Sequence, residues 1–176
     1  MNILSIGASS SSTSINQQFA DFAAKQIPNA DITAFSIRSL TLPIYSEDAE
    51  KENGIPADAQ KFLDAIRSSD AIVISLAEHN GSYTAAFKNL FDWTSRIDQK
   101  LWSSKPMLLL STSPGPRGGS NVLESAKATF PHLGGNIIAS LSLPSFYDNF
   151  SDKGIADNAL AEQLSQIIIQ LTKKIA

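Results

Sequence analysis

The chain contains no cysteine, which excludes disulfides, thiol nucleophiles and thiolate metal sites. Histidine is scarce as well. His79 and His132 are the only two in 176 residues, which argues against a multi-histidine metal centre. No apolar run approaches 18 residues, so no membrane span is expected. The N-terminus lacks a basic segment followed by an apolar one, so no signal peptide is expected either. Positive charge is not in excess. The net charge of −3 gives no reason to expect nucleic acid or an anionic membrane as a partner. A soluble cytoplasmic protein is the expectation. One further absence is local: no Lys or Arg occurs before Lys25.

Hydrophobic residues make up 43% and charged residues 18%, as in folded globular chains, and the length suits one domain over residues 1–176. Short apolar runs alternate with longer helical patterns. Strands are predicted at 2–6, 31–36, 71–76, 106–112 and 136–142. Helices are predicted at 15–27, 57–68, 84–97, 120–132 and 157–174. Ala71 to Leu76 and Met107 to Leu110 are almost continuously apolar, as strands buried on both faces of a parallel sheet require. The alternation predicts an α/β fold, a flavodoxin-like three-layer sandwich with a five-stranded parallel sheet in the order 2-1-3-4-5. Ligands of such sheets bind beyond the carboxyl ends of the strands, where the loops after strands 1, 3 and 4 meet.

Those three loops carry the chemistry. The first is built almost wholly of small hydroxyl residues, Gly7-Ala8-Ser9-Ser10-Ser11-Ser12-Thr13-Ser14, and runs straight into a helix at Ile15-Asn16. Unpaired N–H groups and the positive dipole end converge at such a place, which suits a phosphate held by neutral donors. A serine linker or a simple helix cap is the alternative. The second loop reads Ala77-Glu78-His79-Asn80-Gly81-Ser82-Tyr83-Thr84. His79 and Tyr83 could flank a flat ring while the N–H groups of residues 79–82 meet its polar edge; Asn80-Gly81 is also an ordinary turn signal. The third reads Ser111-Thr112-Ser113-Pro114-Gly115-Pro116-Arg117-Gly118-Gly119-Ser120. Asn121 and Glu124 stand at capping spacing for the helix after it.

Ser14-Ile15-Asn16 resembles the phosphate loop of the NADPH-dependent FMN reductase family. Ala77-Glu78-His79-Asn80-Gly81-Ser82-Tyr83, followed by Phe87-Lys88-Asn89-Leu90-Phe91-Asp92-Trp93, resembles that family's Pro-Glu-Tyr-Asn-Gly-Ser stretch with its later Leu-Lys-Asn and Asp-Trp. Ser113-Pro114-Gly115 with Gly118-Gly119 resembles its third flavin loop. The resemblance implies bound FMN, with NAD(P)H as co-substrate and a quinone, free flavin or azo compound as small-molecule acceptor. It implies that Ser9, Ser11, Ser14, Ile15 and Asn16 hold the phosphate, and that Ala77, Glu78, His79, Asn80, Gly81, Ser82 and Tyr83 border the ring. Ser113, Pro114, Gly115 and Gly118 would approach its other edge. No catalytic side chain is assigned, because flavin carries the hydride chemistry itself. His79 is either an auxiliary donor or a turn histidine. Arg117 is either a partner for the nicotinamide cofactor's phosphate or a solvated loop residue.

The chain departs from the family pattern at several places. The family's first loop often carries an arginine where this chain has serines, and Ala77, His79 and Thr84-Ala85 replace Pro, Tyr and Pro-Gly. A homodimer or homotetramer is expected from the resemblance. The broad apolar arc of Ala86, Phe87, Leu90, Phe91, Trp93 and Ile97, about 160° wide, also hints at it, the alternative being a deeply packed core helix. The loop from Leu143 to Gly154, with Phe146, Tyr147 and Phe150, is a candidate cover for the chain's own flavin or for the partner subunit. The acidic stretch at 47–52 reads as a solvated face. The rival readings are a flavodoxin-type electron carrier, which binds FMN without NAD(P)H turnover, and a non-flavin phosphate-binding domain.

Overall fold

A computed structural model describes residues 1–175. In chain order the elements are β1 (Asn2–Ala8), α1 (Ile15–Lys25), β2 (Asp31–Ser36), a 3-10 turn (Ile37–Ser39), α2 (Glu47–Asn53) and α3 (Ala57–Ser68). Then come β3 (Ala71–Leu76), β4 (Glu78–His79), β5 (Ser82–Tyr83), α4 (Ala85–Ile97), β6 (Pro106–Thr112), α5 (Ser120–Thr129) and a second 3-10 turn (Phe130–Leu133). The chain ends through β7 (Asn136–Leu143), α6 (Phe146–Asn149), β8 (Phe150–Ser151), β9 (Gly154–Ile155) and α7 (Asn158–Ile175). The main sheet is β2-β1-β3-β6-β7, parallel throughout. Since β6 and β7 are its fourth and fifth strands in sequence, this is the expected 2-1-3-4-5 order.

Alternation of side chains along each strand gives the sheet two apolar faces. Leu4, Ile6, Ile72, Ile74 and Leu109 pack with Phe62 and Leu63 of α3, Leu90 and Phe91 of α4, and Val122 of α5. Ile3, Val73, Leu108 and Leu110 pack on the opposite side with Phe19 and Ala23 of α1 and Leu164, Ile168 and Leu171 of α7. Both faces are therefore covered, giving three layers.

Three segments differ from the sequence expectation. Residues 37–55 contain α2, a short acidic helix with no buried residue whose N-terminus is held by the Ser46 side chain accepting from the Ala49 N–H. The stretch before it is bound to α4. Asn89 Nδ2 and Trp93 Nε1 donate to the Pro43 carbonyl at 2.9 and 2.8 Å, and the Tyr45 N–H donates to Asn89 Oδ1 at 2.9 Å. The breadth of the apolar arc on α4 is thus accounted for within the chain: Phe87, Leu90, Phe91 and Trp93 are buried, with Tyr45 edge-on to Trp93. Self-association rests on the family resemblance alone.

The second difference lies at the α5 N-terminus. Neither Asn121 nor Glu124 caps it, because Gly119 occupies the cap position. The Val122 N–H donates instead to Glu78 Oε2, from the loop after β3, at 3.0 Å. The third is the segment after β7. Phe146 stacks on Phe150 at 4.8 Å, and Phe150 meets Phe19 and Phe22 edge-on. These two rings therefore serve packing rather than cover a ligand. Tyr147 between them is left 72% exposed.

Candidate active site

Register brings the loops together. Gly7 of β1 lies opposite Ser75 of β3, and Leu76 of β3 lies opposite Ser111 of β6, so three neighbouring strands end at one level. Beyond their carboxyl ends is a cavity of about 270 Å³. Ser9, Ser11, Ser14, Ile15 and Asn16 line it from the first loop, Ala77, Glu78 and His79 from the second, and Ser113 and Pro114 from the third. Thr13, Thr112 and Tyr147 line it as well. Thr13 and Thr112 belong to the first and third loops but carry no site assignment from the sequence, whereas Tyr147 comes from the 143–154 segment expected to cover the flavin, and of its three aromatics it alone lines the cavity.

The floor of the first loop is fixed by polar contacts between β1 and α1. The Gly7 N–H donates to Gln17 Oε1 at 2.8 Å, while Gln17 Nε2 and Ser5 Oγ both donate to Asp21 Oδ1, at 2.8 and 2.6 Å. Gly7 is required by close approach, because a Cβ there would lie 2.4 Å from the Gln17 backbone nitrogen. Ser14 is the N-cap of α1, its Oγ accepting from the Gln17 N–H at 3.1 Å, which leaves its hydroxyl proton free to donate. The N–H groups of Ile15 and Asn16 belong to the first helical turn and have no acceptor among the described residues.

Asn16 has a different role from the one its position suggests. Its side chain is turned inward and is 3% exposed. Oδ1 accepts from Ser75 Oγ at 2.7 Å and from the Thr112 N–H at 3.2 Å, and Nδ2 donates to the Thr112 carbonyl at 3.2 Å. The side chain therefore ties α1 to the ends of β3 and β6, at the edge of the cavity that Asn16 and Thr112 both line.

The second loop is a two-residue hairpin. His79 pairs with Ser82, and Asn80 and Gly81 turn with φ of 51° and 76°, as an Asn-Gly type I′ turn requires. Asn80, Gly81 and Ser82 lie outside the cavity lining. Tyr83, expected to flank a flat ring, points the other way. It stacks on Phe130 at 6.3 Å, leans on Phe87 and Phe91, and its hydroxyl meets Thr129 Oγ1 at 3.0 Å. Burial pushes its phenol above the ordinary value, partly opposed by that hydrogen bond. His79 alone of the pair reaches the cavity; its ring is exposed and has no hydrogen-bond partner among the described residues.

In the third loop Gly115 and Gly118 do not line the cavity. The Gly115 carbonyl accepts from the Ser145 N–H at 2.9 Å, and Gly118 packs against Ser142 and Leu143 of β7. Through this contact, and the Phe146 N–H donating to the Ser113 carbonyl at 3.0 Å, the segment bearing Tyr147 is strapped to the third loop. Arg117 is exposed and makes no ion pair among the described residues.

The donor set is that of an anion site without a cation, namely hydroxyls and two free helical N–H groups, while the one carboxylate of the lining, Glu78, accepts from the Val122 N–H of α5. Residues 1–148 match the model of the NADPH-dependent FMN reductase family. The chain belongs to this family. Membership implies FMN as cofactor and NAD(P)H as co-substrate. A quinone reductase of Escherichia coli K12 is 26% identical over 158 residues, spanning 88% of this chain and 80% of that protein. FerB, a flavoenzyme NAD(P)H:(acceptor) oxidoreductase of Paracoccus denitrificans, superposes with a TM-score of 0.78 at 23% identity, over 99% of this chain and 96% of that one. A flavodoxin of Pseudomonas aeruginosa superposes with a TM-score of 0.57 at 16% identity, over 97% and 99%. Both likenesses establish the flavodoxin-like fold. Among the described residues no three His, Asp or Glu side chains gather as metal ligands, and no helix is long and apolar enough to cross a membrane.

Proposed function

We propose that the cavity holds FMN and that the protein is an NAD(P)H-dependent reductase passing hydride to a quinone, free flavin or azo compound. The observation that carries this is the convergence of a cation-free hydroxyl loop at a helix N-terminus with the loops after β3 and β6 on one cavity. When bound, FMN supplies a ring that takes hydride from nicotinamide and yields it to an acceptor.

The chain's own residues bind and orient. The N–H groups of Ile15 and Asn16 and the hydroxyls of Ser9, Ser11, Thr13 and Ser14 would hold the phosphate. Neutral hydrogen bonds are worth about 0.5–1.5 kcal/mol each, and roughly 1.5–3 kcal/mol when one partner is charged, so several together hold an anion without lysine or arginine. The hairpin at 78–83 sets one wall and presents His79 as a donor at its rim. Ser113 and Pro114 set the other wall. Homodimer or homotetramer formation and a cytoplasmic location are part of the same reading. A visible spectrum recorded with and without added FMN tests it. Perturbed flavin bands with saturable binding are expected, and no binding at high micromolar FMN would sink the reading.

Tyr147 stands at the mouth on a strap held by Phe146 and Phe150, where its ring can stack on a flat acceptor. One such contact is worth about 0.5–1.5 kcal/mol, so Tyr147→Ala is expected to raise KM for a quinone about three- to tenfold with kcat nearly unchanged, and Tyr147→Phe to restore it. Equal KM values in steady-state assays of the three proteins would remove Tyr147 from the acceptor site.

A further inference from the structure

The phosphate loop has a second side. A neighbouring cavity of about 220 Å³ shares Ser9, Ser11, Thr13 and Ser14 with the first, so the loop forms the partition between them. Arg38 lines this second cavity. Among the described residues it is the one Lys or Arg side chain lining either. Its position follows from the sheet. Ser36 at the end of β2 lies opposite Gly7 of β1, and the 3-10 turn that follows buries Ile37, 4% exposed, and turns Arg38 toward the loop. Arg38 makes no ion pair among the described residues. The other charged side chain of the cavity is Asp21, whose Oδ1 is taken up by Ser5 and Gln17.

We propose that Arg38 supplies, from β2, the positive charge that the serine loop lacks, and so selects a ligand carrying a phosphomonoester, here the phosphate of FMN. The proposal rests on the reading that FMN occupies the cavity. A dianion held only by hydroxyls and helix N–H groups keeps its charge uncompensated. A guanidinium on the far side of the loop, in no ion pair with a carboxylate among the described residues, lowers that cost. Arg38 acts here as a binding residue and takes no part in hydride transfer.

Comparing FMN with riboflavin isolates the phosphate. Dissociation constants for both are measured by flavin fluorescence titration on the wild type, Arg38→Ala, Arg38→Lys and Lys105→Ala. Lys105 precedes β6, at the opposite end of the sheet, and controls for net charge. Arg38→Ala is expected to weaken FMN about ten- to hundredfold while leaving riboflavin unchanged. Arg38→Lys should recover most of the affinity, and Lys105→Ala should match the wild type. An unchanged FMN constant, or an equal loss for riboflavin, overturns the assignment. So does an effect confined to KM for NADPH and absent for NADH, which would give Arg38 to the nicotinamide cofactor's phosphate. A wild-type protein that binds neither flavin overturns the flavin reading itself, and this inference with it.

Discussion

Asn16→Ala is expected to destabilise the protein by about 3–5 kcal/mol, far more than loss of a phosphate contact would suggest. The side chain is buried and satisfies three groups at once: the Ser75 hydroxyl and the N–H and C=O of Thr112. Alanine removes all three of these bonds, at about 1–3 kcal/mol for each group left without a partner, reduced where water enters from the cavity. FMN affinity should fall too, because the start of α1 loses its tie to β3 and β6. Urea unfolding of the flavin-free protein measures the first effect separately from the second. A flavin-free stability equal to the wild type, with FMN affinity reduced, would return Asn16 to the role its loop position suggested.

Gly7→Ala is expected to be at least as severe. The added Cβ would meet the Gln17 nitrogen at 2.4 Å and its Cα at 2.5 Å, both backbone atoms that no rotamer change can move. Relief requires α1 to lift from β1, breaking the Gly7 N–H to Gln17 Oε1 bond. Overpacking typically costs about 1–3 kcal/mol where side chains can shift, and more is expected where they cannot. The lift also displaces the N–H groups of Ile15 and Asn16. The expected outcome is poor soluble yield, or a folded fraction with a lower urea midpoint and FMN binding weakened beyond detection. A soluble variant with unchanged midpoint and FMN affinity would contradict the packing described for β1 and α1.

The sheet was legible because Ala71 to Leu76 and Met107 to Leu110 are apolar without interruption, and because each is followed by a helix with apolar spacing. The short elements were not. In α2 no residue is buried, so no periodic apolar signal marks it. The pairs β4–β5 and β8–β9 are two residues long on each strand, below any detectable alternation. Within the site, loop membership was readable and side-chain direction was not. Asn16 and Tyr83 sit in the right loops but turn inward, because each finds buried partners from elements distant in sequence: Thr112 for one, Phe130 for the other. Glu78 likewise serves the α5 N-terminus, a contact between loops that spacing along one loop does not reveal. Tyr147 and Arg38 lie outside the three loops and reach the site only through the fold.

FMN bound in the cavity and turnover of the loaded protein are tested most directly by anaerobic mixing of the FMN-loaded protein with NADPH or NADH, followed by a quinone, while the visible flavin absorbance is recorded. The nicotinamide is expected to bleach the bound flavin and the quinone to restore it, in a cycle that repeats until nicotinamide is consumed. Flavin that stays bound but is not reduced by either nicotinamide would contradict a reductase and favour the electron-carrier alternative.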